Sequence, residues 1–455
     1  MNFINNLAIN KKLLLLISLP LLGLLFFSIN QNHTIFKKIE ETSKTETRIH
    51  FGVAISALLH ETQKERGYTA GYLGSKGKKF AKKLAEQRKL TNEKLKLFLE
   101  AKEFLYKNTN SKLLDENIKV VIKRLTKLSD VRKNVDSFQL KTSTAIGYYT
   151  QNNTLLIKSV IVLSKLTDNA IISRDITAFA NFLLAKERAG IERAIGTNAL
   201  AKDSFGDGMR EKLEKLISEQ NSYISAFKDY AALESVEFYD NTVKGKAIDE
   251  VNRIRKTLVG AIDKHKIIAE IGEYIGYGGI IHNFKNFVIR GDDKYRNSVN
   301  EQYEQLLLLL NKYRKIPNLK PKEIELLNIV EDTFSKYNNG VKEISEALAA
   351  NIDMKKIDKI VKVNDRPAMV ALYRLGINFF SDEPEYWFSE ITKKINLLKK
   401  VDNHLSSALL KNISELESSY YQKFITTLVF TLVSLLIVLF LAVYIRKNIL
   451  SSLEN

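Results

Sequence analysis

The sequence predicts an all-α protein built as elongated up-and-down helical bundles outside a membrane, with two transmembrane helices. Three observations carry that reading. Only five prolines and 20 glycines punctuate 455 residues, so long stretches run without the frequent turns that sandwiches and barrels need. Apolar residues recur at helical spacing through most of the chain. Two uncharged apolar runs flank everything else: Leu13 to Ile29 and Phe424 to Tyr444, the second long enough to cross roughly 30 Å of hydrocarbon.

Taken in order, residues 1–12 are expected in the cytoplasm and 13–29 form the first span. Lys11 and Lys12 precede that span and Arg446 and Lys447 follow the second, 424–444. The positive-inside bias therefore puts both ends inside the cell. Residues from about 30 to 422 then lie outside the inner membrane, in the periplasm of a bacterium. Residues 445–455 look like the start of a cytoplasmic HAMP-like linker.

Within the outer region, Leu59, Thr62, Arg66, Thr69 and Leu73 share one helical stripe, which turns Arg66 inward. Gly74-Ser75-Lys76-Gly77 stops that helix. A Lys/Glu-rich helix follows from about Lys78 to Lys107, then another from Leu114 to Phe138. The run Gly147 to Asn153, rich in Tyr, Thr, Gln and Asn, reads as a polar turn, after which helical patterns resume from Leu155 to Lys202 with Arg188 in line with Leu184, Ile191 and Ile195. A loop opens at Gly206-Asp207-Gly208 and a helix returns from Met209 to Leu233. Gly276-Tyr277-Gly278-Gly279 precedes a helix bearing Ile280, Phe284, Phe287 and Val288, without the strand a dinucleotide site requires. His282, Lys285 and Arg290 make its polar face. Leu306 to Leu310 is bounded by charges and reads as core. Breaks are expected at Ile316-Pro317 and near Arg366-Pro367, and a last helix from about Glu385 runs into the second span.

The net charge of +18 is spread over helices where lysines alternate with glutamates, and no clustered basic groove with stacking aromatics is visible, so no nucleic-acid partner is expected. The absence of cysteine excludes disulfides, thiolate nucleophiles and zinc-thiolate sites. Six scattered histidines give no metal spacing. Without a nucleophile-base pair, phosphate loop or metal cluster, neither an enzyme nor a cofactor is expected.

What remains unusual is guanidinium groups inside apolar helical patterns, at Lys64-Glu65-Arg66-Gly67 and again at Lys186-Glu187-Arg188-Ala189. Arginine keeps its charge in proteins and must meet carboxylates, carbonyls or a bound anion. The shared tripeptide suggests a weak internal repeat of helix pairs.

At Leu59 to Tyr72, Phe182 to Ala194 and Glu385 to Ile395 the chain resembles the nitrate- and nitrite-sensing (NIT) domain of bacterial chemoreceptors and other membrane sensors. The resemblance covers roughly 48–258 and 377–422, so that 30–258 and 377–422 are expected to form the sensor, leaving 259–376 as an inserted helical module carrying the Gly-Tyr-Gly-Gly-x-Ile-His-x-Phe-Lys-Asn segment. It implies a small anion, nitrate or nitrite, held by Arg66 and Arg188, with Arg193 as a further ligand residue. It also implies a receptor of the methyl-accepting chemotaxis type, a homodimer, and a cytoplasmic signalling module or kinase as partner. The chemistry is consistent, because nitrate is planar and a guanidinium fork matches two of its oxygens. Two alternatives stay open: Glu65, Glu187 and Glu192 hold these arginines in structural salt bridges, and the chain is a membrane-anchored scaffold for a partner protein.

Overall fold

In the computed structural model the described residues are 9–202, 205, 208–316, 319–377, 380 and 382–454. Residues 1–8 of the expected N-terminal segment, Gly206 and Asp207 of the expected loop, Pro317 of the expected break and Asn455 of the linker lie outside them. Every regular element among the described residues is a helix. They divide into two compact units. Unit 1 comprises 1–187, 223–239 and 399–455; unit 2 comprises 188–222 and 240–398.

Unit 1 begins with α1 (Ile9–Gly74), followed by α2 (Ala81–Asn108), α3 (Lys112–Leu125), α4 (Leu128–Asp136), α5 (Thr142–Ser164) and the first part of α6 (Ala170–Lys202). The second part of α7 (Met209–Tyr230) and most of α8 (Leu233–Thr242) also belong to it. So does α15 (Pro384–Glu454) from residue 399 onward. The stop predicted after Leu73 is real: Ser75 N donates to Gly71 O at 3.0 Å, and Gly77 takes φ +81°, a left-handed conformation that glycine adopts without strain. Helix α1 packs on α2 and α5, and α3 packs on α5.

One expectation fails here. Residues 147–153 are not a polar turn but the interior of α5, which runs unbroken from Thr142 to Ser164. Tyr149, Asn152 and Asn153 sit on its buried face, where each finds a hydrogen-bonding partner. Tertiary contacts outweigh the poor helix propensity of asparagine. The single helix expected over Leu114 to Phe138 is likewise two, α3 and α4, separated at Thr126 and Lys127.

The apolar stretches at the start of α1 and the end of α15 carry side chains that the protein leaves uncovered, such as Leu19 at 74% and Phe440 at 69% exposure. Both helices are long and apolar enough to cross a membrane. Inside unit 1, Ser28 Oγ and Thr431 Oγ1 lie 2.5 Å apart across them.

Unit 2 contains the end of α6, the start of α7, then α9 (Lys246–Ile275), α10 (Ile280–Arg290), α11 (Asp293–Arg314), α12 (Pro321–Ala349), α13 (Met354–Ile360), α14 (Arg366–Ile377) and the first residues of α15. Its core gathers Phe284 and Phe287 of α10, Leu306 and Leu310 of α11, and Phe334 of α12, all close to fully buried. Leu308 points outward, so the leucine run is one face of a core helix. The boundary expected at 258/259 falls inside α9, which continues from Lys246 to Ile275. Residue 376 lies at the end of α14.

Candidate functional site

Arg66 is 1% exposed, as its stripe requires, and its guanidinium grips the carboxylate of Glu187, also fully buried. Nη1 bonds Oε1 and Nη2 reaches Oε2 at 3.3 Å, a two-point fork. Nη1 also donates to Thr150 Oγ1 at 3.0 Å. Two amides complete the setting: Gln63 Nε2 donates to Glu187 Oε2 at 2.6 Å and Asn153 Nδ2 to the same oxygen at 3.2 Å. Thr62 Oγ1 in turn donates to Asn153 Oδ1 at 2.7 Å, fixing that amide's orientation. Helices α1 and α5 thus converge four N–H donors on the planar, two-oxygen carboxylate that α6 supplies.

The neighbouring Glu65 points to the other side of α1. Arg132 Nε and Nη2 each bond its carboxylate at 2.7 Å, and Tyr149 Oη donates to it at 2.7 Å. Burial and the adjacent carboxylate push the Tyr149 phenol well above its usual range, so it stays a donor.

A third buried cluster lies close by in unit 1. Lys186, beside Glu187 on α6, bonds the fully buried Asp402 of α15, which also accepts from Ser56 Oγ at 2.6 Å and Lys399 Nζ at 2.8 Å. Burial draws Lys186 down to about 8. Asp402, despite its own burial, is held at about 2 by Lys186 and Lys399. His60, 9% exposed, is driven to about 2 by burial first and then by Lys186, Lys399 and Lys64. It is neutral at physiological pH, and its Nδ1 has no hydrogen-bond partner.

In unit 2, Glu192 is held as Glu65 is: Arg255 Nε and Nη2 bond its carboxylate at 2.6 and 2.7 Å, with Gln220 Nε2 at 2.7 Å. Arg255 and the half-buried Lys394 offset the burial, keeping the Glu192 carboxyl below its usual range. Arg193, 4% exposed, donates to Thr392 Oγ1 at 3.1 Å and lies 4.9 Å from the Phe388 ring centroid. Trp387, fully buried, donates to Arg193 O at 3.2 Å and covers Gly196, where any Cβ would come within 2.5 Å of the indole nitrogen.

Of the three arginines expected to bind one anion, Arg66 belongs to unit 1, and Arg188 and Arg193 to unit 2. Arg188 is half-buried and bonds Glu219 through Nε. Each of Arg66 and Arg188 therefore engages a carboxylate of its own. The polar face of α10 stays at the surface, with Lys285 bonded to Asp358 at 2.6 Å and both half-exposed. Residues that sequence reasoning did not single out are Gln63, Asn153, Thr150, Arg132, Arg255, Gln220, Lys186 and Asp402. The readable signal was polar side chains within apolar periodicity, as at Lys186 between Leu183 and Ala189.

Residues 57–353 match a family described as nitrate and nitrite sensing. A nitrate regulatory protein of Klebsiella oxytoca is 30% identical over 177 residues, which is 39% of this chain and 44% of that protein. The chain thus spans less than half the length of that curated relative. Among solved structures, one titled the NasR transcription antiterminator aligns with a TM-score of 0.47 at 18% identity, covering 84% of this chain and 97% of that one.

Proposed function

Because the chain belongs to the nitrate- and nitrite-sensing family, we propose that it is the ligand-sensing part of a membrane receptor whose anion pocket is built around Arg66. The observation that carries this reading is the convergence of the Arg66 fork, Gln63 Nε2 and Asn153 Nδ2 on a carboxylate. A carboxylate is planar, monovalent and bidentate, the same outline as nitrite and as two oxygens of nitrate. Glu187 therefore stands where such an anion binds, and the ligand enters by displacing it. Arg188 and Arg193 serve the response of unit 2 rather than the first contact with the ion.

Two exposed apolar stretches on the ends of α1 and α15 support a location in the inner membrane, with the body on the periplasmic side and the ends in the cytoplasm. The chain acts by changing conformation, not by catalysis. Occupancy shifts the balance between two packings of the helices, for which about 1–3 kcal/mol of differential affinity suffices. A cytoplasmic signalling module reads that shift, in a chemotaxis receptor or another regulator.

Calorimetric titration of the full chain in detergent with sodium nitrate, nitrite and chloride tests the reading. Heat is expected with nitrate or nitrite and not with chloride, and it is expected to vanish in Arg66→Lys, which keeps a charge but loses the fork. Equal heats for all three ions, or none, overturn it. The scaffold reading rests on the protein partners that Arg66 and Arg188 already have; it predicts no heat with any ion and normal folding of the wild type.

A further inference from the structure

Two consecutive residues of α6 hold two different helices. Glu187 engages Arg66 of α1, and Lys186 engages Asp402 of α15, with both members of the second pair fully buried. Neighbouring residues of a helix are rigidly related, about 100° apart around the axis, so a movement of α6 that releases Glu187 carries Lys186 with it. Asp402 answers as one piece with α15, an uninterrupted helix from Pro384 to Glu454. At about 1.5 Å per residue, roughly 30 Å of straight helix joins it to the apolar stretch beginning at Phe424.

The contact itself resists stretching. A buried ion pair that loses one partner leaves a bare charge in low dielectric, so Lys186 and Asp402 move together rather than part. Ser56 Oγ, at 2.6 Å from Asp402 Oδ1, ties the same carboxylate to α1 one turn before His60 and less than three turns before Arg66. Asp402 thus reports the position of α6 relative to α1, the two helices that hold the Glu187–Arg66 contact.

We propose that Lys186 and Asp402 are coupling residues that transmit occupancy of the Arg66 pocket to α15, and hence to the second apolar span. This rests on the pocket reading above. It assigns the pair a role in signal rather than in affinity, and it makes Ser56 the reference point against which α15 is displaced.

The chain has no cysteine, so spin labels are placed cleanly at Lys37→Cys on α1 and Ser414→Cys on α15, both exposed positions. The labelled full chain is reconstituted in lipid nanodiscs, and sodium nitrate is the probe. Saturating nitrate is expected to move the interlabel distance by about 1–2 Å, the usual size of a helix shift. In Lys186→Met with Asp402→Leu, an apolar pair that conserves packing, nitrate affinity by calorimetry is expected within about twofold of wild type while the shift disappears. Ser56→Ala, which removes one hydrogen bond, is expected to shrink the shift and serves as the deciding variant should the apolar pair fail to fold. A shift of wild-type size in the folded apolar pair, or in Ser56→Ala if that variant decides, overturns the proposal. Loss of binding together with the shift also overturns it, since the pair would then belong to the pocket. Absence of nitrate binding in the wild type overturns the pocket reading instead.

Discussion

The dipeptide Glu-Arg occurs at 65–66, 187–188 and 192–193, and the copies at 65–66 in unit 1 and 192–193 in unit 2 use the same parts to different ends. Both glutamates are fully buried, and each is held bidentately by an arginine far along the chain, Arg132 for Glu65 and Arg255 for Glu192. The arginines that follow diverge. Arg66 meets a carboxylate amid amide donors in a buried polar cluster. Arg193 meets a hydroxyl and an aromatic ring, and its carbonyl anchors Trp387. The glutamate is the conformational fixture in both units, and the next residue joins a carboxylate cluster in one and a hydroxyl-aromatic contact in the other. The structural correspondence pairs Arg66 with Arg193, whereas the Lys-Glu-Arg tripeptide pairs Arg66 with Arg188.

Substitutions that separate the two copies follow in decreasing order of effect. Arg66→Ala strands the Glu187 carboxylate in the interior and is expected to cost about 3–5 kcal/mol in denaturant unfolding followed by far-UV circular dichroism. A cost below 1 kcal/mol would mean that Glu187 finds other partners and that the buried Arg66–Glu187 pair is not electrostatically tight.

Acid sharpens the contrast further, because unit 1 holds His60 and unit 2 has no counterpart among the pairs described. The folded-state pKa of His60 is depressed to about 2 from 6.5, so between those values the unfolded chain takes up a proton that the folded chain refuses. Stability is therefore intact above pH 6.5 and declines as pH falls below it. His60→Leu is expected to flatten that decline by a few kcal/mol at pH 4, measured as the change in unfolding midpoint with pH; an unaltered acid limb would assign the decline to other groups.

Arg193→Ala removes a stacked guanidinium and its aliphatic stem, at an expected cost of about 1–2 kcal/mol. Trp387 is the chain's single tryptophan and sits in unit 2, so its fluorescence reads this loss directly. Arg188→Ala breaks a partly solvated pair with Glu219 and is expected to cost less than about 1 kcal/mol. A larger cost for Arg188 than for Arg193 would reverse the correspondence and pair Arg66 with Arg188.

Much of this was legible in the sequence. Helical periodicity placed Arg66 on a buried stripe, glycines marked the end of α1 and the start of α10, and the two apolar runs stood out by composition. The partners were not legible. Glu187 lies 121 positions from Arg66 and Glu65 lies 67 from Arg132, and local pattern carries no information about which distant carboxylate a guanidinium meets. Asn152 and Asn153 misled for a related reason: their side chains favour turns when exposed, and only the opposing polar groups on α1, α3 and α6 make a helix the better choice.

The most direct test is the nitrate affinity of Glu187→Gln in the full chain. The amide keeps the outline of the carboxylate but not its charge, so it competes less well for the Arg66 fork. Nitrate is expected to bind about tenfold tighter than to wild type by calorimetry, a difference of about 1.4 kcal/mol. Binding that is unchanged or weaker would contradict it, showing that Glu187 is a fixed structural partner rather than the anion that nitrate replaces.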